Sequence, residues 1–69
     1  MRDPKRIKKF CKELAEIWET NCPDWRFGQF ICNVMGVVQQ KHGDIFFPEE
    51  ADMIKYIREV FEKEDSQND

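Results

Sequence analysis

The chain has 69 residues, of which 36% are charged and 41% hydrophobic, and a formal net charge of −3. A chain this short buries only about 60% of the surface its unfolded form exposes, which leaves room for one core and no second domain. No apolar run approaches the ~20 residues that cross a bilayer, no apolar signal core follows the basic start, and three cysteines at spacings of eleven and ten residues fit neither a closed disulfide framework nor a close-spaced metal pair. The expectation is a soluble cytoplasmic protein, residues 1–69 forming a single helical domain without cofactor or metal.

The first predicted helix covers about residues 4–20. Asp3 is its expected N-cap, and Pro4 suits a first helical position because its missing donor is not needed there. Ile7, Phe10, Cys11, Leu14, Ile17 and Trp18 fall at offsets of 0, 3, 4, 7, 10 and 11, one stripe of a helix. The helix should stop near Thr20 or Asn21, ahead of Pro23.

The second predicted helix covers about residues 25–41, with Asp24 as N-cap. Lys41 and His42 meet its negative end, and Gly43 stands where a left-handed residue closes a helix. Phe27, Phe30, Ile31, Val34, Met35, Val37 and Val38 fill a broad arc, expected to touch both neighbouring helices. The opposite side carries Trp25, Gln29, Cys32, Asn33, Gly36, Gln39 and Gln40. From Phe27 to Gln40, fourteen consecutive residues are uncharged, where the chain's own charge density would put about five charges. Charge normally marks the solvent side of a helix, so something is expected to cover this side. Gly36 lies on it at a cost of about 1 kcal/mol relative to alanine.

The third predicted helix covers about residues 48–63. Pro48 opens it, and Glu49 and Glu50 suit its positive end. Met53, Ile54, Ile57, Val60 and Phe61 form its core face, with Tyr56 off that stripe. Phe46 and Phe47, in the preceding link, are expected to pack at the junction of the second and third helices. The polar, acidic tail from about residue 65 lacks an apolar anchor and should fray. The fold class is therefore all-α, a compact three-helix domain.

Trp18, then Pro23-Asp24, Arg26 and Gly28-Gln29 form a motif of unusual residue types. With Arg2-Asp3-Pro4-Lys5-Arg6-Ile7 at the start and Asp44-Ile45-Phe46-Phe47 ahead of acidic residues, it resembles a family of small uncharacterised helical proteins of bacteria and their phages, and more distantly the YihD type. The resemblance covers nearly the whole chain, although Trp25 fills a variable position of the motif and Pro48 follows the two phenylalanines. It implies a stand-alone helical domain and brings no activity with it.

Other chemistry is thin. Cys22 lies near the start of the second helix, where backbone N–H groups can stabilise a thiolate, but no histidine is close in sequence. His42 is read as a helix C-cap. A zinc site of Cys11, Cys22, Cys32 and His42 would need a helix face, a turn and both the back and the end of another helix to converge.

Charge is uneven along the chain. Residues 1–43 hold eight basic and five acidic groups, and residues 44–69 three basic and nine acidic. The third helix begins Glu49, Glu50, Ala51, Asp52, which phosphate repels, so nucleic acid is not the expected partner; the basic first helix could at most touch backbone phosphates without reading sequence. A membrane surface is not expected either, because the apolar face of that helix is needed for the core.

The expected function is a non-enzymatic protein-interaction module, a homodimer or a partner of another protein, with Trp25, Gln29, Cys32, Asn33 and Gly36 in the interface. Alternatively, the N-terminal residues or the Phe46-Phe47 link cover that face within one chain. A different class of function is an inhibitor or regulator carried by a mobile element, whose Glu49, Glu50 and Asp52 occupy a basic site on a host protein.

Overall fold

The computed structural model describes residues 2–62. Three helices make up the fold: α1 (Lys5–Asn21), α2 (Phe27–His42) and α3 (Glu50–Phe61). The tail from residue 65 and the expected last residues of α3 beyond 62 lie outside the described residues.

Helix α1 opens as its sequence indicates. The Asp3 carboxylate accepts the Lys5 backbone N–H at 2.9 Å, and Pro4 already has helical angles. At its far end the chain leaves the helix at Cys22, whose N–H still donates to the Trp18 carbonyl. The two later helices start two residues further on than expected. Asp24 does not cap α2: a turn closed by the Trp25 N–H on the Cys22 carbonyl takes up residues 22–25, and the extended Arg26 becomes the N-cap. Gln29 then reaches back to accept the Arg26 N–H at 2.8 Å, the reciprocal half of a capping box. Before α3, the Asp44 carboxylate accepts the Phe46 N–H and forms a turn, and Glu49 remains extended as N-cap, so Pro48 precedes the helix. Gly43 ends α2 with φ of +88°, a conformation that a Cβ disfavours, while its N–H donates to the Gln39 carbonyl.

The helix in the middle of the sequence is not the one in the middle of the fold. Helix α3 packs on both α1 and α2. Its direction relative to α1 follows from successive pairs, Arg2 with Glu49, Arg6 with Glu50 and Glu13 with Arg58, so the two run side by side in the same sense. Helices α1 and α2 meet mainly through Trp18, whose indole stacks on Phe30 at 5.0 Å and leans on Phe27 at 6.0 Å.

The core comprises Ile17, Cys22, Phe30, Val34, Val38, Ile54 and Ile57. The four α2 and α3 residues at its centre, Phe30, Val34, Val38 and Ile57, are each only 1% exposed. The Phe30 ring lies nearly parallel to both Trp18 and Phe61, so one aromatic stack ties all three helices at the end where α1 and α3 finish. The α1 stripe is only partly used. Ile7 is 50% exposed and Cys11 is exposed, because α3 begins alongside Arg2 and Arg6 and its apolar residues do not reach the outer edge of that stripe.

Candidate functional site

The exposed side of α2 carries Gly28, Gln29, Cys32, Asn33, Gly36, Gln39 and Gln40. On a 100°-per-residue wheel these span the arc opposite Phe30, Val34 and Val38. Gly28, Cys32 and Gly36 are four residues apart and line up along it. A Cβ built on Gly28 or on Gly36 meets nothing within 4 Å. Among the described residues, neither glycine is required by packing and no segment folds over the face.

The five residues that the sequence groups as a partner surface divide in the fold. Cys32, Asn33 and Gly36 are contiguous and exposed. Gln29 is exposed too, but its side-chain oxygen is spent on the Arg26 N–H. Trp25 turns inward: it is half-buried, its ring lies 6.4 Å from Phe61, and its carbonyl accepts the Trp18 indole N–H at 3.2 Å. A large ring removes on the order of 150 to 250 Å² from water, enough to draw Trp25 off the helix and into the corner.

Phe46 and Phe47 depart further from expectation. They are 82% and 72% exposed, stacked edge to face at 5.0 Å, and lie beside Arg2 and Arg6 rather than between α2 and α3. His42 holds the α2–α3 junction in their place. Its ring lies flat on Tyr56 at 3.7 Å, and its Nε2 is 2.9 Å from the Glu59 carboxylate, a tertiary clamp rather than a helix cap.

The acidic start of α3 is largely spoken for within the chain. The Arg2 guanidinium grips Glu49 with two bonds of 2.8 and 2.6 Å, and Arg6 donates to Glu50 at 2.7 Å. Hydrogen bonding to Arg2 lowers the Glu49 carboxyl below its ordinary value and raises Arg2. Arg6, helped by a backbone N–H, lowers Glu50, and Lys9 at 2.7 Å lowers Glu13. Asp52 makes no ion pair among the described residues. The Arg6–Glu50 and Arg2–Glu49 pairs join residues 44 and 47 positions apart, which no local pattern could reveal.

An open groove of about 380 Å³ follows the α1–α3 seam, lined by the apolar Phe10, Ala51 and Ile54 and the charged Arg6, Glu13 and Arg58. The charges face each other across it and are already paired. Burial pushes the Cys22 thiol up, away from the thiolate that reactivity needs. Among the described residues, no three His, Cys, Asp or Glu side chains converge as a metal would need, and no helix is long and apolar enough to cross a membrane.

No protein-family model, curated protein or solved structure matches the chain.

Proposed function

We propose that this protein is a non-enzymatic interaction module that self-associates through the exposed face of α2, with Cys32, Asn33 and Gly36 at the centre of the contact. One observation carries the reading: an exposed helix face has neither charge nor, at Gly28 and Gly36, any neighbour that would justify the loss of a side chain. Glycine in a helix costs about 1 kcal/mol relative to alanine, and an uncharged surface lowers solubility. Both costs are recovered where a second helix approaches closely, as ridges along the four-residue rows do when they cross. Helix α2 has 16 residues and is therefore about 24 Å long. One helix pair of that length lies below the ~1,200 Å² of a standard stable interface, so the dimer is weak and concentration-dependent.

The reading in which the start of α3 occupies a basic site on a host protein draws less support, because Glu49 and Glu50 would first have to give up Arg2 and Arg6.

Light scattering coupled to size-exclusion chromatography, with reductant and over a hundredfold range of concentration, tests the proposal. Wild type should shift from monomer to dimer, and Gly36→Leu should remain monomeric. Leucine is a good helix former with open space around this position, so loss of the dimer would not reflect misfolding. A wild type that is monomeric throughout overturns the reading.

A further inference from the structure

Helix α1 is charged the wrong way round for an isolated helix. Its N-terminal end is positive by virtue of the backbone, which favours acidic residues there and basic ones at the far end. Helix α1 has no acidic residue in its first turn and no basic residue in its last. Its first half carries Lys5, Arg6, Lys8, Lys9 and Lys12, and its second half Glu13, Glu16 and Glu19.

The fold sorts these cations into two groups. Some are compensated: Arg2 and Arg6 by Glu49 and Glu50 at the start of α3, and the exposed Lys9 by Glu13 one turn along the same helix. Lys5, Lys8 and Lys12 are exposed and have no carboxylate within 4.0 Å among the described residues. They fall within a 60° arc on the helical wheel, over a rise of about 10.5 Å. Asp3, the nearest acidic residue at that end, spends an oxygen on the Lys5 backbone N–H. A local electrostatic preference is thus broken on one face where, among the described residues, no ion pair compensates it and only Lys12 acts at longer range, on Glu13, and such places are where function tends to lie.

We propose that Lys5, Lys8 and Lys12 form a docking face for the phosphodiester backbone of nucleic acid, bound without regard to sequence. One strand of a duplex carries a phosphate every 3.4 Å of axis, so a run of about four phosphates covers the length over which the three lysines are spread, enough for each lysine to reach one. The face contains no apolar residue; Ile7 is 100° round the helix from Lys8, and a membrane surface needs an apolar anchor as well as charge. The net charge of −3 turns the rest of the molecule away from a polyanion, so contact is confined to this face. This site is separate from the α2 face and does not depend on self-association.

The test is fluorescence anisotropy on the full chain with two labelled 20-base-pair duplexes of unrelated sequence. Neutralising three phosphates gives a salt slope of about −2.7, so binding should weaken about 40-fold between 50 and 200 mM salt, equally for both duplexes. The variant Lys5→Gln/Lys8→Gln/Lys12→Gln should lose binding while keeping its helical circular dichroism, since glutamine and lysine are equally good helix formers. Lys9→Gln, whose lysine is already held by Glu13, should bind nearly as wild type. No binding at 50 mM salt, binding that survives the triple substitution, or tighter binding to phosphatidylserine vesicles than to duplex would each overturn the proposal.

Discussion

Replacing Gly36 by alanine separates a surface built for a partner from one that is merely unoptimised. Gly36 lies inside α2, exposed, with nothing within 4 Å of a Cβ built there. In an isolated molecule the new methyl costs nothing in packing and gains about 0.8 to 1.0 kcal/mol of helix propensity. For a domain this small, 1 kcal/mol moves the melting temperature by roughly 4 to 8 °C. If α2 pairs with a second copy through the Gly28-Cys32-Gly36 row, the same methyl stands between two backbones and weakens the pair. Thermal unfolding followed by circular dichroism at two protein concentrations a hundredfold apart reads both effects. Wild type should melt higher at the greater concentration, as mass action requires of a dimer. Gly36→Ala should melt above wild type when dilute and lose much of that lead when concentrated. An equal gain at both concentrations, with wild type insensitive to dilution, would refute self-association through this face. A loss of stability in the dilute sample would refute the premise that the position is open.

Oxidation offers a second view of the same contact: mild oxidant should give a disulfide-linked dimer on non-reducing gels for wild type and Cys11→Ser, and none for Cys32→Ser, although both thiols are exposed. Phe30 sits in the aromatic stack at 1% exposure, so Phe30→Ala should cost about 3 to 5 kcal/mol. That is comparable with the whole stability of a domain this size, at about 0.05 to 0.15 kcal/mol per residue. Phe46→Ala, at 82% exposure, should leave the unfolding free energy from urea titration within about 0.5 kcal/mol of wild type. Glu13, Glu49 and Glu50 all have folded-state carboxyls lowered by cationic partners. Their contribution is fully present above the unfolded value of about 4.3 and is lost as pH falls through the lowered folded values. Glu49→Gln/Glu50→Gln should therefore flatten the acid limb of a melting-temperature profile below about pH 4.3, and an unchanged limb would show that these ion pairs contribute nothing.

Three helices and most of their core faces were legible because the period of the apolar residues is a local property. Ile17, Phe30, Val34, Val38, Ile54 and Ile57 all fall on the predicted faces and are all buried. The starts of α2 and α3 were displaced by turns that compete with the caps expected there, the Cys22–Trp25 turn with the Gln29 capping box for α2 and the Asp44 turn for α3. Burial of Trp25 against Phe61 draws the corner inward, a contact 36 positions apart that no local pattern shows. The candidate face was readable in part: Cys32, Asn33 and Gly36 lie where the wheel puts them, whereas Trp25 obeys its size. The exposure of Phe46 and Phe47 runs against the usual sorting by polarity. The turn that Asp44 closes on the Phe46 N–H places both rings on the outside, and that turn is what a reading of the link as extended misses.

The parallel arrangement of α1 and α3 has a bearing on the order of assembly. The clamp between α2 and α3 joins His42 and Glu59 across 17 positions, whereas α1 reaches α3 through Arg2 and Glu49 across 47. Closing the longer loop costs about 0.9 kcal/mol more, at roughly 0.6 kcal/mol per doubling of length. The stacking of Trp18 on Phe30 closes a loop shorter than either, so loop closure favours the α1–α2 corner and the α2–α3 clamp as early contacts, with the α1–α3 ion pairs completing the fold. The α1–α3 contact at the Arg2 and Arg6 end is the one with the longest loop to close, and it rests there on exposed or half-exposed ion pairs rather than on the buried aromatic stack at the other end.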